Sequence, residues 1–140
     1  MNHFPPVDAH AIEALEASLG ATLPEDYRNF LLEHNGGLVE PDVFEVQGDP
    51  NVTKSSIQIL HGIAPGDYFD INKQISIFEN RIPSGTIPIG HDPSGNLLCL
   101  AVSGPRAGTV YFWDHDLDNA TFPLADSFSA FLSGLASPTM

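Results

Sequence analysis

Residues 23–37 read LPEDYRNFLLEHNGG, and this stretch contains a complete helix with its start and stop signals. Pro24 is tolerated in a first helical turn, because its missing N–H has no intrahelical acceptor there. The two acids that follow it place negative charge at the positive end of the helix dipole. Residues 35–37, Asn-Gly-Gly, accept the left-handed backbone that often ends a helix. One buried face is predicted by three residues at i, i+3 and i+4 spacing: Tyr27, Phe30 and Leu31.

The segments on either side of this helix have different periods. Upstream, residues 8–19 carry apolar side chains at helical spacing, with Asp8 as the N-cap and Gly20 as the stop signal. Downstream, residues 43–46 and 57–63 alternate or run apolar, as strands do. Residues 47–56 between them are predicted to form a loop.

The second half of the chain begins with a further predicted helix. Residues 70–82 have apolar side chains on one face, and Pro83 blocks continuation. Three strands are then predicted at residues 86–89, 96–102 and 109–113. A helix over residues 128–135, capped by Asp126 or Ser127, closes the chain.

This order of elements predicts the fold class. It runs helix, helix, two strands, helix, three strands, helix, which is typical of an α+β domain. We therefore expect a single domain over residues 1–140, with a largely antiparallel sheet of about five to six strands and four helices packed around it.

Charge is the most unusual feature of the composition. The chain has 140 residues, with 5 Lys and Arg against 18 Asp and Glu, and a formal net charge of −13 at pH 7. Such a surface repels phosphate backbones and anionic membranes, so neither nucleic acid nor a membrane is an expected partner. It attracts a basic protein. Charge alone is equally compatible with an acidity that only maintains solubility.

Cysteine and hydropathy indicate the compartment. Cys99 is the one cysteine, which excludes an intrachain disulfide and is compatible with a reducing cytosol. The first residues have neither the basic start nor the apolar run that is typical of a signal peptide. No stretch of the sequence approaches the roughly 18 consecutive apolar residues of a membrane span. We expect a cytoplasmic protein.

Four strings of the sequence resemble one known family. They are residues 23–37, IPIGHDPSGN at 87–96, GTVYFWDHD at 108–116, and the closing SFSAFL at 127–132. Their joint order resembles the SUKH superfamily, which includes a yeast cell-wall-assembly regulator and many bacterial immunity proteins. The resemblance implies the α+β fold of this superfamily. It also implies a protein that binds a toxin domain, often a nuclease, and blocks its activity. The matching residues are mostly scaffold residues, so the resemblance identifies the fold more firmly than the action.

Acidic loops provide the candidate binding residues. Carboxylates from two or more loops can pair with Lys and Arg of a basic partner. The sequence does not reveal the distance between the carboxylates near residue 41 and the carboxylates near residue 115. The predicted partner contacts are Asp92, Asp114, Asp116, Asp118, Glu40 and Asp42.

The alternating acids of residues 114–118 also resemble the start of a calcium loop. Asp114, Asp116 and Asp118 occupy its first, third and fifth positions. However, the sixth position holds Asn119 instead of Gly and the twelfth holds Ala125 instead of Glu. A solvated turn after a strand is therefore the favoured interpretation.

The sequence gives little support for a catalytic function. His91, Asp92 and His115 would be the members of a metal or acid–base group. Asp92 lies in an Asp-Pro-Ser-Gly turn, where it more naturally accepts bonds from local backbone N–H groups. Cys99 lies in an apolar run, which predicts a buried residue and not a nucleophile. We therefore predict no catalytic, metal or cofactor residues.

Three functional hypotheses follow from these observations. The leading one is a non-enzymatic immunity protein that neutralises a cationic toxin domain. The second is a regulatory scaffold with the same fold that binds an endogenous protein. The third, less favoured, is a metal-dependent hydrolase that uses the two histidines and the aspartate named above.

Overall fold

The computed structural model describes residues 3–138. Residues 1–2 and 139–140, the ends of the predicted single domain, lie outside the described residues. The helices are α1 (Ala9–Leu19), α2 (Glu25–Glu33), α3 (Ile71–Ile77) and α4 (Phe128–Ser133). The strands are β1 (Val43–Glu45), β2 (Lys54–Ser56), β3 (Ile59–Leu60), β4 (Thr86–His91), β5 (Leu97–Ala101), β6 (Val110–Asp114) and β7 (Ala120–Ala125).

The strands form two antiparallel sheets. The larger sheet has the order β3-β4-β5-β6-β7, so each strand pairs with its neighbours in the chain. β1 and β2 form a separate hairpin. The predicted α+β class, with four helices and a largely antiparallel sheet, is confirmed.

Alternation along β5 and β6 divides the core between the two faces of the large sheet. Leu98, Leu100 and Phe112 belong to the main cluster, which also includes buried residues of α1, α2 and α4. The rings of Tyr27 and Phe128 join α2 to α4 in an edge-to-face contact with centroids 5.0 Å apart. The opposite face presents Leu97, Cys99 and Trp113, which Phe78 covers from just beyond α3.

The Asn-Gly-Gly sequence after α2 holds two distant segments against each other. The Asn35 side chain is 2% exposed. Its Nδ2 donates to the carbonyls of Pro5 and Ile63, each at 2.9 Å, and its Oδ1 accepts from the Ile63 N–H at 2.9 Å. Gly37 exchanges two backbone bonds with Leu60, at 2.8 and 2.9 Å. The end of α2 is therefore joined to the edge of the large sheet.

Helix caps and the cysteine follow the sequence predictions. The Asp8 carboxylate caps α1 by accepting from Ala11 N, and the Ser127 hydroxyl caps α4 by accepting from Ala130 N. Cys99 is fully buried, and burial raises the pKa of its thiol. None of the helices among residues 3–138 has both the length and the apolar character that a membrane span requires.

Several predicted boundaries were wrong. β2 lies inside the predicted loop of residues 47–56, and the predicted strand over 57–63 is reduced to the two residues of β3. The predicted helix over 70–82 ends at Ile77. β7 was not predicted. β2 is polar and partly exposed, and β7 is only half-buried and contains Pro123, so neither shows the alternation that reveals a strand.

Candidate functional site

Three connections meet at one end of the large sheet. Leu97 pairs with His91 on one side and with Trp113 on the other, so the turns of residues 92–96 and 115–119 leave the sheet at the same end. The β1–β2 loop, residues 46–53, joins them through side-chain contacts. Four of the predicted partner contacts, Asp92, Asp114, Asp116 and Asp118, lie on or beside these turns.

Asp92 organises the first turn. It is 3% exposed, and its Oδ1 accepts from the N–H groups of Ser94 and Asn96 at 2.9 and 2.8 Å. Its Oδ2 accepts from Asn96 Nδ2 at 3.0 Å and from the Ser55 hydroxyl at 2.8 Å. The predicted local bonding is confirmed. Asn96 Oδ1 in turn accepts from the His115 N–H at 3.1 Å, which ties the two turns together.

Asp114 is also buried, and its neighbour is a second carboxylate. Asp114 is 1% exposed and Asp49 of the β1–β2 loop is 4% exposed, and their side chains are within hydrogen-bonding range. Burial, reinforced by Asp49, raises the pKa of Asp114. Burial opposes ionisation of Asp49 as well, but bonds from Asp114 and from the backbone N–H groups of Asn51 and Val52 hold its pKa below the ordinary value.

The remaining predicted contacts are accessible. Asp116 and Asp118 are exposed on the second turn, where Asp118 and Asn119 adopt left-handed backbone with φ of 54° and 59°. Glu40 is exposed and Asp42 is half-buried. Direct contact of a partner with Asp92 or Asp114 would require these turns to open, because both carboxylates are buried and internally bonded.

Glu40 and Asp42 lie apart from the two turns. The Asp42 carbonyl accepts from Ile57 N at 2.9 Å, and the next residue, Gln58, donates to the His91 carbonyl at 2.8 Å. One stretch of chain therefore separates Asp42 from the first turn. Glu40 precedes Asp42 by two residues in the chain.

A groove beside Glu40 supplies an exposed apolar side chain that sequence reasoning missed. Its cavity of about 470 Å³ is lined by His34, Leu38, Val39 and Glu40. Leu38 is 54% exposed, and the neighbouring Glu33 is exposed as well. No periodic signal marks Leu38, because it follows the glycines in an irregular segment. We call the cavity of these four residues the Leu38 groove.

A buried histidine pair lies near the first turn. His61 Nδ1 is 3.1 Å from the Pro88 carbonyl, an acceptor only, so this nitrogen carries the proton. His61 Nε2 therefore accepts from His91 Nδ1 at 2.6 Å. Burial, together with His91, lowers the pKa of His61 to about 3, and burial also lowers the pKa of His91. Both imidazoles are expected to be neutral at physiological pH.

The members of the hypothetical hydrolase group are engaged in separate internal bonds. His91 bonds to His61, Asp92 caps its own turn, and His115 Nδ1 lies 2.6 Å from Asn96 Oδ1. Within residues 3–138, no group of three or more His, Cys, Asp or Glu side chains is arranged to hold a metal ion.

Most carboxylates are exposed and lack an internal cation. Over residues 3–138, the one ion pair within 4.0 Å joins His115 Nε2 to Asp116 Oδ1 at 3.4 Å, and none involves Lys or Arg. Arg81 instead stacks over the rings of Phe78 and Trp113, with its guanidinium 5.4 and 5.1 Å from their centroids. The exposed acids are Asp8, Glu13, Glu25, Glu33, Glu40, Glu45, Asp67, Glu79, Asp116, Asp118 and Asp126.

Comparison with known proteins agrees with the fold and the sequence strings. A profile of the SMI1 / KNR4 family (SUKH-1) matches residues 6–134. The SPbeta prophage-derived uncharacterized protein YokK of Bacillus subtilis (strain 168) is 30% identical, over 89% of this chain and 72% of its own length. The chain belongs to the SMI1 / KNR4 family (SUKH-1).

Proposed function

We propose that this chain is a non-enzymatic immunity protein, acting in the cytoplasm, that neutralises a cationic toxin domain by binding it. Its family includes many bacterial immunity proteins, and a nuclease is the toxin class that fits its charge best. A nuclease must present a cationic surface to its phosphate substrate, and an acidic protein can occupy that surface.

The observation that carries the proposal is the set of exposed carboxylates without internal cations. Exposed ion pairs within one protein contribute little, with a median of about 0–1 kcal/mol. Carboxylates left unpaired keep their field available to a partner, which accelerates encounter and selects against acidic competitors. With 18 Asp and Glu against 5 Lys and Arg, the chain has far more carboxylates than its own cations could pair.

The Leu38 groove supplies the second requirement of an interface. Charged rims alone do not set affinity, and tight complexes have apolar anchors surrounded by polar residues. Leu38 offers such an anchor, with Glu40 in the same groove and Glu33 and Asp42 nearby in the chain. We therefore place the anchor at the Leu38 groove and assign long-range attraction to Asp116 and Asp118.

Co-expression tests this function directly. Each reading frame that flanks the gene is expressed in a heterologous bacterium, with and without this chain. We expect one frame to arrest growth and the chain to restore it. Continued arrest despite equal amounts of folded chain would refute the immunity role, and the absence of any toxic flanking frame would favour the regulatory scaffold.

A matched pair of variants tests the location of the surface. Leu38→Arg is expected to abolish rescue, since it replaces the apolar anchor with a charge that repels a basic partner. Ile77→Arg is the control, because Ile77 is 39% exposed at the end of α3, which leads into the opposite face of the sheet. Equal rescue by both variants would remove the Leu38 groove from the interface.

A further inference from the structure

Two buried carboxyl groups face each other where the β1–β2 loop meets the end of β6. Asp49 Oδ1 accepts from Asn51 N at 2.8 Å and from Val52 N at 3.2 Å, and Asp114 Oδ1 accepts from Asp116 N at 2.9 Å. The Oδ2 atoms of both side chains are buried and accept no hydrogen bond from a donor among the described residues, and the two carboxyl groups lie within hydrogen-bonding range of each other. Backbone N–H groups therefore donate to only one oxygen, Oδ1, of each carboxyl group.

Two carboxylates in this arrangement cannot both ionise without a large penalty. Each ion loses hydration on burial, and like charges at hydrogen-bond distance repel. No Lys, Arg or His nitrogen within residues 3–138 lies within 4.0 Å of either group. One proton shared by the two carboxyl groups converts the repulsion into a hydrogen bond from a carboxylic acid to a carboxylate.

The charged groups on the surrounding elements favour retention of that proton. The second turn carries Asp116 and Asp118 together with His115, and the charge of Asp116 opposes ionisation of Asp114. The first turn carries Asp92, and the β1–β2 hairpin carries Glu45 opposite Lys54. Negative groups predominate around the pair.

We propose that Asp49 and Asp114 share a single proton between their buried carboxyl groups, and that this proton fastens the β1–β2 loop to the turn that carries Asp116 and Asp118. The site binds a proton and stands independently of the proposed partner. Loss of this proton as the pH rises weakens the attachment of that turn.

The direction of the pH effect follows from the pKa of each group. The folded pKa of Asp114 is raised, so its contribution to stability is complete below the ordinary value of 3.8 and is lost as the pH rises through the folded pKa. The folded pKa of Asp49 is lowered, so its contribution is present above 3.8 and is lost as the pH falls. Ionisation of Asp114 therefore weakens the pair as the pH rises.

Asp114→Asn is the informative variant. Its Oδ1 can still accept from Asp116 N, and its Nδ2 can donate permanently to Asp49 Oδ2. At about pH 8 we expect the folding equilibrium constant of Asp114→Asn to exceed that of the wild type by about tenfold or more, because the wild-type pair loses its proton as the pH rises and the amide does not. At about pH 5 this difference should be smaller, because the wild-type pair retains more of its proton at the lower pH. Asp118→Asn, on the exposed part of the same turn, should change stability less than about threefold at either pH.

Carboxyl carbon NMR of the wild-type protein keeps the proposal testable if the variant does not fold. We expect two coupled aspartates, one with a pKa above the range of the exposed aspartates and one with a pKa below it. In Asp49→Asn this coupled pattern should disappear. Ordinary titration of both groups would overturn the proposal. So would a calcium-dependent gain in wild-type stability that Asp49→Asn abolishes, since a cation would then occupy the place of the proton.

Discussion

Gly36→Ala, compared with Gly20→Ala, tests the packing on which this fold depends. Both glycines have left-handed backbone, with φ of 65° and 68°. A Cβ at Gly20 would meet nothing within 4 Å. A Cβ at Gly36 would lie 2.5 Å from the His61 carbonyl oxygen and 2.8 Å from Gly62 N. Both variants therefore have the free-energy cost of an alanine in left-handed backbone. Only Gly36→Ala has the additional cost of a steric clash.

The expected magnitudes follow from these distances. Left-handed backbone costs an alanine about 1–2 kcal/mol, which is the whole expected loss for Gly20→Ala. At Gly36 the backbone of residues 60–62 cannot easily retreat, because Leu60 bonds to Gly37 and His61 N bonds to the Ile89 carbonyl at 2.8 Å. Overpacking adds about 1–3 kcal/mol, so Gly36→Ala should lose about 2–5 kcal/mol in total. That is a large part of the roughly 5–15 kcal/mol of a typical domain.

Urea unfolding followed by the fluorescence of Trp113 measures both losses. Trp113 is fully buried, so its emission should report global unfolding. The midpoint should fall much further for Gly36→Ala than for Gly20→Ala at an unchanged slope. Equal losses would refute the close approach of α2's end to residues 61–62.

Three further predictions concern buried groups. Tyr27→Phe should stabilise the protein by about 1 kcal/mol in urea unfolding, because the buried Tyr27 hydroxyl has no partner among the described residues; a clear loss would reveal a missing partner. The folded pKa of His61 is depressed to about 3, so its contribution is present above 6.5 and is lost as the pH falls towards 3. Between about pH 7 and pH 5, the free energy of unfolding of the wild type should fall by about 2 kcal/mol more than that of His61→Gln. Equal losses in the two proteins would contradict a neutral His61 imidazole. Cys99 should react with a thiol reagent only at the rate of unfolding, and rapid labelling of native protein would contradict its burial.

Local signals explain why much of the fold was predictable. The α2 segment contains its own acids, apolar face and stop signal, and the Asp8 and Ser127 caps act within three residues. The turn after β4 is similarly local, since Asp92 bonds to residues two and four positions ahead. Interactions of this kind can be read from sequence because the partners are near neighbours in the chain.

Long-range packing explains what was missed. β2 and β7 have weak patterns of their own and exist because neighbouring strands pair with them. The burial of Asp114 depends on Asp49, which belongs to a different hairpin, so an acidic run appeared fully solvated in the sequence. The Leu38 groove is likewise formed by residues that have no common period.

In the proposed function, exposed carboxylates without a Lys or Arg partner bind a cationic toxin. The most direct measurement is growth of cells that express the toxic flanking reading frame together with a charge variant of this chain. Glu40→Gln, Asp116→Asn and Asp118→Asn combined should fail to protect, whereas Glu13→Gln, Glu79→Gln and Asp126→Asn combined, with the same change of charge, should protect like the wild type. Full protection by the first variant, at equal levels of folded protein, would contradict the account.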